Sequence, residues 1–546
     1  MKKKTSTLLS VMLLSSMVLT GFAGCGGNTI DASDPHKLEI YVYNAGYGYK
    51  WAEDILASFV AEPWVQEKYP GIEKKAEVYH DEVGTYAKEL LNASKKVNKY
   101  DLVVGSVSQG NLAPGTNALE LTEVVYNSEV PGEGILYKNK LQSSYLESAA
   151  YVPKSGIIDE KAYYHTNWAT STTGLYYNAT KLEALGFEVP NTTDELLAIM
   201  EAVKNRTPDE VYSQKTSFVT YGSSVYAYYL SNLWWGQYEG IDEYINFYNG
   251  YDSLTESLSP SVLRQQGRYE MLCVMEEILH RNNGYTWLNP NTGREAYRET
   301  QNRVLLGNGL FMANGDWVET EMATLKQGLI DQTGSADTVT FMRTPIISAI
   351  IDKTPSIPND ATLSAVVEAI DAGETEYEGV DPDDFATIKA ARGVVNALGH
   401  GHTAFIPSYA SGKDPAIDFL RYMATDKAND LYIKATGGAT LPFQYNLKEK
   451  NTALYESIAP LYQDVMDYYN EIDITVLPPL DMFPFVRDGG FNDRSSGDTL
   501  SAFTGGMSKG SYSSLAELLF EREYNYWANN NNANWKSCLA KIGING

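Results

Sequence analysis

The sequence predicts an α/β protein with a mainly parallel sheet, divided into two or more domains. Three observations carry this reading. At 546 residues the chain is longer than a single hydrophobic core organises. Its first hundred residues alternate β-branched and aromatic runs with segments of helical apolar spacing, the pattern of strands linked by crossover helices. The strand-like runs end in loops rich in glycine and polar residues, where such sheets bind ligands.

Taken in order, LEIYVY (38–43) is a strand, and AEDILASFVAEPWVQEKY (52–69) has helical spacing and stops at Pro70-Gly71. KKAEVYH (74–80) predicts a second strand, TYAKELLNASKKV (85–97) a second helix and YDLVVGS (100–106) a third strand. The loops that matter are then NAGYGYKW (44–51) and GSVSQGN (105–111). AYYHTNWATSTTGLYYN (162–178) leads into a helix that Thr193 could cap, with Asn191 and Thr192 as rivals. Residues 225–300 read as mostly helical and include VYAYYLSNLWWGQY (225–238). VLLGNGLFMANGDWVETEM (304–322) gives a strand, a turn and a helix start. Residues 352–392 are strongly acidic and contain a helix pair. They read as an insertion between FMRTPIISAII (341–351) and the helix AIDFLRYMATDKANDLYIKA (416–435). NNNNAN (529–534) predicts a loop near the C-terminus.

The chain opens with MKKK and then a stretch of about 14 apolar and small residues, Leu8 to Gly21. That is shorter than the roughly 20 residues of a spanning helix, so residues 1–24 read as an export signal. FAGCGGN (22–28) resembles a bacterial lipobox, with Phe22 where leucine is usual. The match implies lipidation of Cys25 and a polar tether over 25–36; ordinary signal cleavage is the alternative. Loss of Lys2, Lys3 and Lys4 with the signal takes the formal charge from −26 to −29. So acidic a surface excludes nucleic acid and a basic-patch membrane contact. Beyond Cys25 only Cys273 and Cys538 remain, either as one disulfide or as two buried thiols. Forty tyrosines are an excess that suits amphipathic ligands as well as cores.

Five segments in order resemble the extracellular solute-binding proteins of ATP-driven (ABC) sugar importers, the maltose-binding-like group. They are YPGI (69–72), YDLVVGS with ALELTEVV (100–106, 118–125), TSTTGLYYN with PNTTDELLAIMEAV (170–178, 190–203), GLFMANGDW (309–317) and PAIDFLRYMATDKANDLYIKATGGATLP (415–442). The resemblance implies a two-lobed, periplasmic-binding-protein-like (type II) fold with a hinge and a central ligand cleft. It places lobe 1 at 37–165 and about 345–436, carrying the 352–392 insertion. Lobe 2 is then 166–344 and about 437–546. It further implies a monomeric receptor on the outer face of the cell membrane, held by its N-terminal lipid. Such a receptor delivers a carbohydrate, in particular an oligosaccharide, to permease subunits. No cofactor, metal or catalytic residue is expected.

Sugars present hydroxyls at the rim and C–H patches on their faces, so hydroxyl, amide and carboxylate side chains beside aromatic platforms are the expected lining. On that basis Thr170, Ser171, Thr172 and Thr173 beside Trp168 form a candidate sugar-facing loop, with a self-capped turn as the alternative. Asn314, Asp316 and Trp317 form a second candidate set. Tyr43, Asn44, Tyr47 and Trp51 follow from the first strand-end loop, and Ser106, Ser108 and Gln109 from the third. Of Trp234 and Trp235 one is expected to face the cleft. Gly437 and Gly438 read equally well as a helix cap, and their ligand role comes from the resemblance alone.

Enzymatic motifs are missing from the sequence: there is no HExxH, GxSxG, P-loop or zinc-spaced cysteine set. His400 and His402 in GHGH could share a face toward a metal, and RDGGFNDRSSGD (487–498) lacks EF-hand spacing. The competing readings are a peptide-binding lipoprotein and a surface glycan hydrolase or lyase.

Overall fold

The computed structural model describes residues 31–81, 86–156, 158, 160–291, 293 and 296–544. The expected export signal, Cys25 and the start of the tether lie outside the described residues.

Two sheets organise the chain. In chain order the strands are β1 (Leu38–Tyr43), β2 (Ala76–Asp81), β3 (Leu102–Val104), β4 (Thr166–Asn167), β5 (Thr172–Asn178), β6 (Phe218–Thr220), β7 (Tyr251–Asp252), β8 (Ser257–Leu258), β9 (Thr286–Leu288), β10 (Phe311–Gly315), β11 (Val339–Met342), β12 (Val394–Ala397), β13 (Thr403–Phe405) and β14 (Thr475–Val476). The first sheet runs β2-β1-β3-β13-β4, with β1 parallel to both neighbours and β13 antiparallel to both of its own. The second runs β14-β12-β5-β10-β6-β9, with β11 also paired to β5. In it β10, β6 and β9 are parallel, while β5 runs against β10 and β12. Strands β7 and β8 form a small hairpin.

The chain crosses between the sheets three times: at two adjacent places, and again over the longer stretch between β13 and β14. Strand β4 belongs to the first sheet, and four residues after it the chain enters the second as β5. The return leaves β12 in the second sheet and re-enters the first as β13, through a 3-10 turn at Gly399–Gly401. Such narrow crossings are what a hinge requires.

Helices cover both sheets. The helix Lys50–Val60 buries Trp51, Ala52, Ile55, Leu56 and Phe59 and packs against the helix Asp426–Thr436. The helix Ser224–Glu239 lies across β5, β10 and β12 of the second sheet. The C-terminal helix Leu515–Lys541 packs on Gln266–Leu279 and breaks where Asn530, Asn531 and Asn532 take left-handed angles, as the polar run suggested.

Three expectations are corrected. The acidic segment belongs with the second sheet, and it is not an insertion into the first lobe. Its helices Asp360–Asp371 and Pro382–Arg392 bury Leu363, Val366, Val367, Ile370, Phe385 and Ile388, with the second packed on Ser224–Glu239. Arg392 is buried there between the Asp371 carboxylate and the Thr344 carbonyl, so these helices complete a core. The division assigned 345–436 to lobe 1, yet the chain rejoins the first sheet only after β12. Thr286–Leu288, read as helical, is a three-residue strand at the edge of the second sheet. Finally, Thr192 is the helix cap, accepting from the Glu195 amide, in preference to Thr193 or Asn191.

Candidate functional site

The parallel strands of the two sheets end at a common place. Strand β1 ends at Tyr43, and the loop behind it holds Ala45, Gly46 and Gly48 at positive φ. Strand β10 ends in the turn that carries Asp316 and Trp317. These two loops touch. A Cβ on Gly46 would stand 3.1 Å from Cβ of Trp317, and with φ at +83° the position is restricted to glycine twice over. Gly315 is required for a different reason: the indole of Trp317 folds back over it, and a Cβ there would meet the ring at 2.1 Å. Trp317 is left 8% exposed, at the start of the helix Val318–Thr333.

If the loop relaxes when the lobes part, Gly46→Ala disfavours only the closed form, by about 1–2 kcal/mol for a left-handed alanine, and ligand affinity should fall about 5- to 30-fold. Calorimetric titration of wild type and variant checks it. An unchanged affinity would mean that this loop plays no part in closure.

Beside Trp317, Asp316 is buried and bridges the sheets. It accepts from the Tyr47 hydroxyl at 2.5 Å and from the Thr172 amide at 3.1 Å. Burial pushes its carboxyl up to about 6, against the pull of those donors. Tyr47 also lies 2.9 Å from Ser171 Oγ, which sits 2.6 Å from Nδ1 of His402. Asp316, Tyr47, Ser171 and His402 thus form one buried chain through both crossings.

Next to Trp317 stands a row of tyrosines from the carboxyl end of β6 and the first turns of the following helix. Ring centroids are 4.7 Å apart for Tyr221 and Tyr226, 5.2 Å for Tyr226 and Tyr229, and 6.2 Å for Tyr229 and Trp317. Tyr221 and Tyr226 are half-buried. Glu321, one helical turn beyond Trp317, accepts from Gln301 at 2.6 Å; burial is the main cause that raises the hydroxyl pKa of all three tyrosines, and Glu321 is a minor one. On the first-sheet side Tyr49 stacks on His80, at 3.4 Å and 7° between ring planes. These aromatic residues were not among the sequence candidates. Position could have found them, because Tyr221 directly follows a parallel strand.

The hydroxyl cluster is corrected: it holds protein. Thr170 pairs with Thr440 Oγ1 at 2.8 Å, Thr172 with the Tyr469 hydroxyl at 3.0 Å, and Thr173 with the Asn396 carbonyl at 3.1 Å. All four hydroxyls are buried and each reaches a different distant segment, so the cluster ties the crossings together. Trp168 is equally internal. It stacks on Trp51 at 5.6 Å and donates to the Gly105 carbonyl at 2.8 Å. Trp234 and Trp235 are both fully buried, donating to the Pro345 carbonyl and to Gln265. They lie about 15 Å down their helix from its start at the strand end, at 1.5 Å per residue. Neither faces the cleft. Asn314 is spent on its own turn, accepting from the Gly315 amide.

The remaining candidates divide between surface and interior. Tyr43 and Asn44 are half-buried, with Oδ1 of Asn44 lacking a hydrogen-bond partner. Ser106 and Ser108 are exposed. Ser108 donates to Asp481, which also accepts from the Gly110 amide, so the loop after β3 meets the segment after β14. Gln109 is buried beside the His400 carbonyl. Gly437, at φ +78°, caps the helix Asp426–Thr436, and Gly438 leaves room for Tyr462.

His400 and His402 are buried in the crossing, their imidazoles pushed down to about 3 and about 4 by desolvation. Nδ1 of His400 lies 2.8 Å from Ser148 Oγ, so both histidines serve the hinge. Among the described residues no group of three His, Cys, Asp or Glu side chains is arranged to hold a metal. Cys273 and Cys538 are not joined to each other, and burial lifts both thiols to about 11. No described helix is long and apolar enough to cross a membrane.

No family model matches the chain, and no curated protein is similar to it in sequence. Solved structures are similar in fold. A chitin oligosaccharide binding protein aligns with a TM-score of 0.53 at 14% identity, covering 90% of this chain and 98% of its own. A structure described under xylan utilization by the thermophilic bacterium Caldanaerobius polysaccharolyticus aligns at 0.54 and 14%, covering 90% and 99%. The bacterial solute receptor AcbH, described as preferring β-D-galactopyranose, aligns at 0.53 and 10%, covering 90% and 97%. With its two sheets, paired crossings and facing strand ends, the chain has the two-lobed α/β fold of the periplasmic solute-binding proteins.

Proposed function

We propose that the protein is a lipid-anchored extracellular receptor that captures a carbohydrate between its lobes and passes it to an ABC importer permease. The observation that carries this reading is the aromatic row Tyr221, Tyr226, Tyr229 and Trp317, set beside Glu321 and facing the Gly46 loop. Flat rings next to carboxylate and amide groups match the C–H faces and hydroxyl rims of a sugar. The sugar ligands named for similarly folded proteins support the same class, and those proteins are described as a binding protein and a solute receptor. Cys25 supplies the anchor in this reading, and Cys25→Ser should release the protein from membranes into the medium.

A thermal-shift screen against carbohydrates and peptides tests the ligand class. A ligand at 100 times its dissociation constant stabilises by about 2.7 kcal/mol, a readily measured shift. Stabilisation by peptides alone, or release of reducing ends from oligosaccharides, would overturn the reading.

Closure is expected to be a hinge motion, because the two short crossings lie side by side and only one longer stretch, before β14, joins the lobes besides them. Solution scattering should give a smaller radius of gyration at saturation. An unchanged profile with a ligand known to bind would rule the hinge out.

A further inference from the structure

A cavity of about 540 Å³ lies behind the crossings. One wall comes from residues 142–144, from Asn429 and Ile433, and from the loop 440–446. This wall rests on the first lobe, since its helix packs against Lys50–Val60. The other wall is the helix Pro460–Glu471 and β14, which pack on β11 and pair with β12 of the second lobe. Thr170 and Thr172 of the crossing reach toward this side, to Thr440 and Tyr469, while Ser171 between them reaches Tyr47. The cavity and the aromatic cleft therefore flank the same hinge from opposite sides.

Its lining is specific in character. The deep part is apolar, with Ile433, Val465 and Met466 buried, and the rim carries Gln142, Gln444 and Asn470 as neutral hydrogen-bonding groups. Asp473 is the one charged side chain among the lining residues. The volume falls in the range of about 300–1,000 Å³ that small-molecule sites occupy. Neutral amides and hydroxyls over an apolar floor suit an uncharged polyhydroxyl compound, and Asp473 disfavours an anion.

We propose that this cavity is a second binding site, for a neutral sugar of one or two rings, and that its occupant favours closure of the cleft. The sign follows from the lever. Opening the front about the crossings brings the rear walls together, so a molecule wedged between them opposes opening. The coupling half of the proposal rests on the cleft being the ligand site named above; the site itself does not.

Met466, on the cavity floor, provides a local probe. The full chain is labelled with ¹³C-methyl methionine, and the Met466 resonance is assigned with Met466→Leu. D-Glucose and maltose are then titrated, with D-glucuronate as the charged comparison. The expected result is a saturable Met466 shift with glucose or maltose, none with glucuronate, and loss of the shift in Ser144→Trp, which blocks the rim. Scattering of Ser144→Trp without ligand should show a more compact chain, because the indole takes the place of the occupant. A Met466 signal that neither neutral sugar moves, or that moves unchanged in Ser144→Trp, overturns the site. A Met466 response in a protein whose cleft binds no carbohydrate would support the site and overturn the proposed function instead.

Discussion

Trp317→Ala is expected to weaken carbohydrate binding by about 2–4 kcal/mol, the range of buried aromatic hot spots, or about 30- to 1,000-fold. The indole is aimed by structure on every side. Gly315 lets it fold flat over its own turn, Tyr229 meets it edge to face, and Gly46 of the opposite lobe covers its base. Trp317 stands beside Glu321 and the tyrosine row, where a sugar face would lie. Stacking against a C–H face adds to area burial, and aromatic pairs indicate about 0.5–1.5 kcal/mol for that part. Because Trp317 is mostly buried, the variant should also lose stability, so affinity and melting must both be measured. Near-native affinity with a severe loss of stability would make Trp317 a core residue and the placement of the cleft wrong. Tyr226→Ala, further along the same row and half-buried, serves as the independent check on the wall.

The parts legible in the sequence were those whose signal is local. LEIYVY and YDLVVGS are β-branched and aromatic runs buried on both sides, and the loops behind them do meet the second lobe. The turn in ANGDW was legible because its short polar, glycine-containing run separates a strand from a helix start. The hydroxyl cluster was misread because its partners are remote: His402 is 231 residues from Ser171, and Tyr469 is 297 from Thr172. A buried hydroxyl and a ligand-facing one look alike until the partner is known. Trp234 and Trp235 failed for the same kind of reason, since a helix shows its apolar face in sequence but not how far along it the cleft lies. The acidic segment misled through its exposed charges, which sit on amphipathic helices whose other face is core. Strand β9 is three residues long, too short for alternation to register.

The second large effect concerns pH and Asp316. Its carboxyl is raised to about 6 from an ordinary 3.8, chiefly by burial. The groups around it include Tyr47, Tyr176, Tyr432 and Tyr462, phenols that burial keeps neutral and that have no cationic form to offset the carboxylate. A carboxyl raised on folding stabilises the native state fully only below its unfolded pKa. As pH rises from about 4 to about 6 the folded chain gives up a proton that the unfolded chain has already lost, and stability falls. Two pKa units correspond to about 3 kcal/mol, lost by the time the pH passes 6. Asparagine cannot ionise; it keeps one acceptor oxygen, for the Thr172 amide, and turns its Nδ2 to the Tyr47 hydroxyl, which can accept in place of donating. Asp316→Asn should therefore gain about 3 kcal/mol relative to wild type between about pH 4 and about pH 7, read from urea unfolding of both proteins at each pH. The same logic reaches the ligand if opening of the cleft withdraws Tyr47, which comes from the opposite lobe, from the carboxyl. Opening the cleft hydrates Asp316 and lowers its pKa, so closure takes up a proton and ligand affinity should rise as pH falls through 6. Parallel stability profiles for the two proteins would show that Asp316 is ionised in the native state across this range and that the Tyr47 contact carries no proton linkage.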